Sequence, residues 1–318
     1  MVARKIKVKS PLVSVVIPTF NKSLFIEATM LSVLNQTYRN IEIILVDNGS
    51  TDNTCFVIKN FISRNQGNFK VINLEVNKGP SNARNQGIMA STGKYIFFLD
   101  GDDIFFQNKV RNQVEFMEAN LEVGLTITPY IIYSHRNKFL RLIKNRDPFL
   151  LIANWLDMTG FGGSVESTGC IRRSKLKSTL LYDTDLMGSE GLDFMLRWSL
   201  DSIIRVIPEP LTIYRLSPNQ LHRDTSAIQE NMGRLVVKYA KNEEQRVKIA
   251  KMQKAFFEIS KLRSQGEKEL SLFLVITLLK FDSCGLKMVL AICKRNLVAF
   301  LLGFKYRRDV AVLLNSLE

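Results

Sequence analysis

A chain of 318 residues with 46% hydrophobic content is long enough to bury a sizeable core, which excludes a disordered or fibrous protein. Its formal net charge of +14 falls mainly on the two ends, because residues 1–12 carry +4 and residues 226–318 carry +8. The basic residues near the C-terminus are dispersed among apolar ones and form no recognised binding motif. We therefore expect no nucleic-acid partner.

The cysteines and the N-terminus favour a reducing, cytoplasmic location. The four cysteines stand far apart, without the spacing of a zinc site or of a disulfide framework. The N-terminal residues are basic but lack the apolar core of a secretory signal. No run of residues approaches the ~20 consecutive apolar residues of a membrane-spanning helix.

Strand and helix patterns alternate along the first hundred residues. The predicted strands are 13–18, 41–46, 70–74 and 95–99, and the helices between them are 24–34, with Ser23 as its N-cap, 53–64 and 81–90. Crossovers long enough for helices indicate an α/β fold with a mostly parallel sheet covered on both faces. Ligands of such sheets bind at the carboxyl ends of the strands, so the four loops there should converge on one edge.

Beyond residue 104 the pattern is less regular. It predicts a helix at 107–120, a strand at 123–133, a helix at 148–157 and a return strand at 168–172. From about residue 226 the pattern is mainly helical, with charged residues among apolar ones. This last region either packs on the rest of the protein or contacts the inner surface of a membrane.

An acidic cluster follows the apolar strand predicted at 95–99. Asp100, Asp102 and Asp103 place three mutually repelling carboxylates within four residues. Mg²⁺ or Mn²⁺ takes oxygen ligands and is usually completed by substrate phosphates, so a divalent cation would explain the cluster. A solvated acidic turn is the alternative.

The other loops of the same edge offer polar groups for a nucleotide. Asp47 ends the second strand, where its carboxylate either accepts hydrogen bonds from a base or ribose or only shapes the loop as an Asx-turn. Asn77, Gly79 and Arg84 lie farther along and supply donors and positive charge suited to phosphate.

Four segments, in this order and spacing, resemble the family 2 glycosyltransferases. They are Val13-Ser-Val-Val-Ile-Pro-Thr-Phe-Asn21, Val46-Asp-Asn-Gly-Ser-Thr-Asp52, Asn77-Lys-Gly-Pro-Ser-Asn-Ala-Arg-Asn-Gln-Gly87 and Phe98-Leu-Asp-Gly-Asp-Asp103. The resemblance covers about residues 13–217 and implies the GT-A fold, a nucleotide-sugar donor, a divalent metal and inversion at the anomeric carbon.

The resemblance also implies roles for particular residues. Asp47 would bind the base, Asp100 would contact the ribose or the sugar, and Asp102 would ligate the metal. The remaining residues expected to line the nucleotide-sugar pocket are Pro18, Thr19, Asn21, Asn77, Gly79, Arg84 and Gly101.

The general base is less clear from the sequence. The family supplies it from a Glu-Asp pair that opens a helix, and the matching segment here is Gly188-Ser-Glu-Gly-Leu-Asp193, with glycine at position 191. Glu190 is the candidate base and Asp193 the second catalytic candidate, although an ion pair with Arg197 four residues later would also explain Asp193. The family's Tyr-Arg pair matches Tyr214-Arg215, Ser217 stands where a histidine is expected, and His222 follows later.

These observations predict three parts. Residues 1–12 form a basic arm, residues 13–225 a GT-A-like catalytic domain with a nucleotide-sugar-binding half (13–104) and an acceptor-side half (105–225), and residues 226–318 a basic helical region. The expected function is transfer of a sugar to the hydroxyl of a saccharide or lipid-linked saccharide, in polysaccharide or glycoconjugate synthesis. The alternative, suggested by Gly191, is a relative that binds nucleotide sugars without turning them over.

Overall fold

The structure, a computed structural model, describes residues 10–134, 139–143, 166–186, 188, 190–216, 234, 235 and 238. The helices are α1 (Ile26–Leu34), α2 (Thr54–Arg64), α3 (Gly79–Ala90), α4 (Lys109–Ala119) and α5 (Glu190–Asp201). The strands are β1 (Val13–Thr19), β2 (Ile41–Asp47), β3 (Asn68–Asn73), β4 (Tyr95–Phe98), β5 (Ile104–Phe105), β6 (Val123–Ile127), β7 (Tyr130–Ser134), β8 (Phe139–Ile143), β9 (Cys170–Arg172), β10 (Ile203–Val206) and β11 (Thr212–Arg215).

Some predictions fall outside the described residues. They are the first nine residues of the basic arm, most of the 134–165 region with its helix at 148–157, Ser217, His222, and all of 226–318 except three residues. No helix of the described part combines the length and apolarity that crossing a membrane requires.

The central sheet has seven strands in the order β10-β6-β9-β4-β1-β2-β3. β1 pairs in parallel with β2 and β4, β2 with β3, and β6 with β10, whereas β9 runs antiparallel to both of its neighbours, β4 and β6. The prediction of an α/β fold with a mostly parallel sheet is confirmed.

Successive strand residues pack on opposite faces of this sheet. Val15 and Phe97 contribute to a core with α1, α2 and α4. Val16 and Phe98 contribute to a second core with α3 and α5. Both faces are covered at β1, β2 and β4, so these strands are mostly apolar, which is why they were recognisable in the sequence.

A second sheet, in the order β5-β11-β7-β8, lies beside the first. The single strand predicted at 123–133 is wrong, because the chain divides there into β6 of the central sheet and β7 of the second. Pro129 lies at the break, where it has no N–H to donate to a strand neighbour and restricts the backbone of Thr128.

The first helix begins later than predicted. Its N-cap position is Phe25, not Ser23, and the side chain of Leu24 is 87% exposed instead of facing the core. Asp52 of the β2–α2 connection and Thr54 at the start of α2 hold this segment in a turn. Lys22 N–H donates to Thr54 Oγ1 at 2.8 Å, and Ser23 N–H donates to an Asp52 carboxylate oxygen at 3.2 Å. Contacts from a distant part of the chain therefore fix where α1 starts.

Candidate active site

The loops that follow the first four strands meet at one edge of the central sheet. Asn48 donates its backbone N–H to Thr19 O at 2.8 Å, and its side-chain amide donates to Asn77 Oδ1 at 2.7 Å. The N–H of Gly101 donates to Pro18 O at 3.1 Å. Each loop is thus bonded to a neighbouring loop, and the predicted convergence is confirmed.

The end of β1 and the loop that follows it make separate contributions to this edge. Asn21 adopts a φ of 52°, and its Oδ1 accepts the backbone N–H groups of Thr51 at 2.8 Å and Asp52 at 3.3 Å, which ties this loop to the next. Thr19 Oγ1 is buried without a hydrogen-bond partner among the described residues. A Cβ atom at Gly101 would lie 2.7 Å from that oxygen, so glycine there leaves room for the hydroxyl.

The carboxylate of Asp47 shapes the loop that follows β2. The residue is 2% exposed, and its carboxylate accepts hydrogen bonds from the Ser50 N–H at 3.1 Å and the Ser50 hydroxyl at 2.5 Å, while Cys55 Sγ lies 3.0 Å away. The thiol is un-ionised near neutral pH, since burial and the neighbouring carboxylate raise the pKa of Cys55 to about 11. The loop-shaping alternative is therefore realised, and contact of Asp47 with a base stays a prediction that would use its remaining lone pairs.

The start of α3 is shaped by Asn77. Its side-chain oxygen accepts the N–H of Gly79 at 2.9 Å as well as the amide of Asn48. Gly79 has a φ of 85°, in the left-handed region that favours glycine. These two residues hold the amino end of a helix at the same edge as the acidic loop, a position suited to binding an anion.

A pair of glycine substitutions separates crowding from backbone strain. Gly49 and Gly79 both have positive φ, but a Cβ atom at Gly49 would lie 2.8 Å from the backbone carbon of Val76, whereas one at Gly79 meets nothing within 4 Å. We expect Gly79→Ala to lower the free energy of unfolding by about 1 kcal/mol and Gly49→Ala by about 1–3 kcal/mol more. Urea denaturation measures both, and equal losses would contradict the crowding at Gly49.

The three acids of the cluster do not face the same way. Asp103 is fully buried, where it accepts hydrogen bonds from the Ser167 hydroxyl at 2.5 Å and the Arg215 N–H at 3.1 Å. Burial, with the charges of Asp102 and Asp100, raises the pKa of Asp103 well above its ordinary value. The interpretation of all three carboxylates as one cation site is therefore corrected: Asp103 is a structural acid.

Arg84 lies among carboxylates. The residue is 4% exposed, and its guanidinium lies 2.8 Å from Asp100, 3.3 Å from Glu190 and 3.8 Å from Glu166. Arg84 was predicted to bind the donor, by supplying charge to a phosphate, but three acids already balance its charge. The geometry places Arg84 between Asp100 and the two acids Glu166 and Glu190, and contact of Arg84 with the donor stays a prediction.

Asp102 pairs with a lysine from the first loop. The ammonium of Lys22 lies 2.5 Å from Asp102 Oδ2, and the carboxylate is largely buried. Arg215, at the end of β11, donates to the backbone oxygen of Asp102 and, at 2.9 Å, to Thr29 Oγ1 of α1. The loop of residues 100–103 is therefore held by contacts from the loop after β1 and from β11 of the second sheet.

The two predicted catalytic acids of α5 occupy different surroundings. Asp193 is fully buried and pairs with Arg197 at 2.6 Å and Lys238 at 2.8 Å, so the ion-pair alternative describes it. Glu190 pairs with Arg84 through one oxygen, and its other oxygen is buried without a hydrogen-bond partner among the described residues. A catalytic role for either residue stays a prediction, and the ion pairs of Asp193 argue against one there.

Comparison with known proteins decides the family. The family model described as Glycosyl transferase family 2 matches residues 14–178, which is half of the chain and includes every loop described above. The chain belongs to this family.

Two glycosyltransferases illustrate how similar this family 2 member is in sequence to its relatives. It is 41% identical over 110 residues to an uncharacterized glycosyltransferase of Haemophilus influenzae, covering 35% of this chain and 44% of that protein. It is 33% identical over 144 residues to the UDP-Glc:alpha-D-GlcNAc-diphosphoundecaprenol beta-1,3-glucosyltransferase WfgD of Escherichia coli, covering 42% of this chain and 56% of that protein. The chain thus matches about half the length of either relative.

A solved structure supports the fold. The mannosyltransferase PcManGT of Pyrobaculum calidifontis, in complex with GDP-Man and Mn²⁺, superposes with a TM-score of 0.58 and 15% identity, covering 98% of this chain and 86% of that one. At this identity the likeness shows that the family 2 chain shares the fold of that enzyme.

The donor atoms at Asp102 fit a divalent cation. Carboxylate oxygens suit Mg²⁺ or Mn²⁺, which keep waters and substrate phosphates as their other ligands. The Lys22 ammonium already occupies this carboxylate, so the position accepts a positive charge. Within the described part of the chain, no three His, Cys, Asp or Glu side chains come together as a ligand set.

Three residues that contact the acidic cluster or its partners, Lys22, Glu166 and Ser167, were not predicted from the sequence. Lys22 follows the first strand closely, and inspection of every charged residue after a strand would have found it. Glu166 and Ser167 precede a strand, where no motif indicated them. The glycine at position 191 departs from the family's Glu-Asp pair, but it did not point to Glu166 in particular.

Proposed function

We propose that this chain transfers a sugar from a nucleoside-diphosphate sugar to an acceptor hydroxyl with inversion, in the synthesis of a polysaccharide or glycoconjugate. The observation that carries the proposal is the position of Asp47 at the end of β2 and of Asp100 and Asp102 in the loop after β4, because β2 and β4 flank β1 in parallel. Acids at adjacent carboxyl ends lie where ligands of parallel sheets bind. Family membership supplies the reaction class.

The chemistry assigned to this edge is a single displacement. The acceptor oxygen bonds to the anomeric carbon as the bond from that carbon to the diphosphate breaks, the electron pair leaves with the diphosphate, and a carboxylate takes the acceptor proton. Asp100 orients the ribose or the sugar, and Asp47 with Asn21 and Thr19 forms the nucleotide side. A divalent cation held by Asp102 would neutralise charge on the departing diphosphate.

The substrates are proposed by class. The Escherichia coli relative uses UDP-Glc and a lipid-linked GlcNAc diphosphate, and the Pyrobaculum structure holds GDP-Man. We propose a UDP- or GDP-linked hexose as donor and a saccharide or lipid-linked saccharide as acceptor. Membrane-surface contact through residues 226–318, at the inner face of the membrane, stays a prediction that binding to anionic liposomes at low salt would test.

Release of nucleoside diphosphate tests the proposal. The purified chain is incubated with UDP-glucose, UDP-GlcNAc or GDP-mannose in Mg²⁺ or Mn²⁺, with an EDTA-treated sample as control. We expect release from at least one donor that EDTA abolishes. Calorimetric titration of the same donors identifies the alternative: binding without release would make the chain a nucleotide-sugar-binding relative, and neither binding nor release would reject the proposal.

A further inference from the structure

Gly191 lies against the carboxylate of a residue from another segment. It stands where the family motif places the aspartate of the Glu-Asp pair. A Cβ atom built on Gly191 would lie 2.2 Å from Glu166 Oε1 and 3.0 Å from its Cδ. The Glu166 carboxylate therefore fills the volume that a side chain at position 191 would need, and the two cannot occupy it together.

The backbone around Glu166 is fixed to the donor side of the site. The next residue, Ser167, accepts the backbone N–H of Asp100 at 3.0 Å and donates to the Asp103 carboxylate at 2.5 Å. The Glu166 carbonyl accepts the N–H of Gly169 at 2.8 Å, which closes the 3-10 turn Glu166–Thr168. Glu166 is therefore held beside Asp100 by bonds that do not involve its own carboxylate.

Among the three acids around Arg84, Glu166 has the carboxylate that lies farthest from the guanidinium. Its carboxylate oxygen lies 3.8 Å from the guanidinium, against 3.3 Å for Glu190 and 2.8 Å for Asp100. Its side chain is 14% exposed, compared with 9% for Glu190. A carboxylate that is close to the donor site, only weakly paired and not sealed from solvent can accept a proton from an incoming hydroxyl.

The surroundings of Glu166 favour proton exchange near neutral pH. The carboxylate borders an apolar recess that also includes Phe98, Tyr182 and Phe194. Burial raises the pKa of Glu166 to about 7, and the charge of Arg84 opposes that rise. A general base works best when its pKa lies near the working pH.

We propose that Glu166 is the general base of the transfer, contributed by the turn before β9 in place of the side chain that Gly191 lacks. Its carboxylate takes the proton of the acceptor hydroxyl as the acceptor oxygen attacks the anomeric carbon, while Glu190 remains paired with Arg84. This inference rests on the proposed function, because it names the base of that reaction.

Glu166→Gln tests the role of the charge. We expect transfer to a lipid-linked GlcNAc diphosphate, and release of nucleoside diphosphate into water, to fall about 10²-fold or more, which is the usual contribution of a general base. Donor affinity, measured by calorimetry, stays within twofold, which shows that the variant is folded. Glu115→Gln is the matched control, because it removes an exposed carboxylate of α4, and it retains the wild-type rate.

Transplanting the carboxylate separates a base from a structural residue. Glu166→Gly removes the acid and empties the volume beside Gly191. Adding Gly191→Asp to that variant returns a carboxylate to the same volume from the other side, so we expect the double variant to recover at least tenfold of the lost rate. A merely structural role for Glu166 would not predict recovery of rate at unchanged donor affinity.

The outcomes distinguish this inference from the proposed function. An active Glu166→Gln enzyme overturns the inference alone, and if Glu190→Gln is then inactive, Glu190 is the base. No recovery in the double variant, with donor affinity intact, also overturns it. A wild-type protein that releases diphosphate from none of UDP-glucose, UDP-GlcNAc and GDP-mannose rejects the proposed function and the inference together.

Discussion

Asp102→Asn should lower metal-dependent release of nucleoside diphosphate by about 10³-fold, the scale on which one electrostatic stabiliser of a transition state acts. Asparagine keeps the shape of the side chain but loses the charge that binds a hard cation. Stability should change little, because the lost pair with Lys22 is offset by weaker repulsion of Asp100 and Asp103. Initial rates over a Mn²⁺ series, with thermal unfolding of the same samples, measure both effects.

Lys22→Met is the control for this prediction. It leaves the Asp102 carboxylate in place and removes the ammonium that lies on it. If Asp102 acts through a divalent cation, this variant keeps metal-dependent activity while Asp102→Asn loses it. Undiminished activity of Asp102→Asn after chelation of metal would refute a metal role for this residue.

Arg84→Met should destabilise the protein by about 3–5 kcal/mol at pH 8, the range for removing one partner of a buried ion pair. Methionine fills much of the same volume but leaves Asp100, Glu166 and Glu190 close together without their shared cation. Urea denaturation of variant and wild type measures the loss. A change below about 1 kcal/mol would show that the charges contribute no more than an exposed pair does.

The pH dependence of the Arg84→Met effect has a definite sign. Arg84 holds down the pKa of Glu166, which burial already raises to about 7, so its removal raises that pKa further. A carboxyl whose folded pKa exceeds its unfolded value binds more protons in the folded state, and stability then falls as pH rises. The loss should therefore be larger at pH 8 than at pH 5, and Glu190→Gln in the same chain should reduce it at pH 8.

Much of the fold followed from hydrophobic periodicity. Strands covered on both faces are continuous apolar runs, so β1, β2 and β4 were located within a residue or two. Local patterns failed where a distant partner decided the outcome. The start of α1 depends on Thr54 and Asp52, and the direction of Asp103 depends on Ser167 and Arg215.

The site was only partly predictable for the same reason. Loop positions follow from strand ends, and these were anticipated correctly for Asp47, Asp100 and Asp102. Charge pairing depends on the folded structure. From the sequence, Arg84 is suited to binding phosphate, but in the structure Asp100, Glu166 and Glu190 surround it. A charged residue in a sequence motif does not show which oppositely charged residues other segments will place beside it.

The antiparallel direction of β9 affects where functional side chains can lie along the sequence. A strand that runs against its neighbours begins at the edge where they end, as the pairing of Phe97 with Cys170 and of Tyr95 with Arg172 requires. The residues that precede β9 therefore lie at the edge of the central sheet where the loops of the candidate site meet. When one strand of a mostly parallel sheet is antiparallel, functional side chains should be sought among the residues that precede that strand, as well as among those that follow the parallel strands.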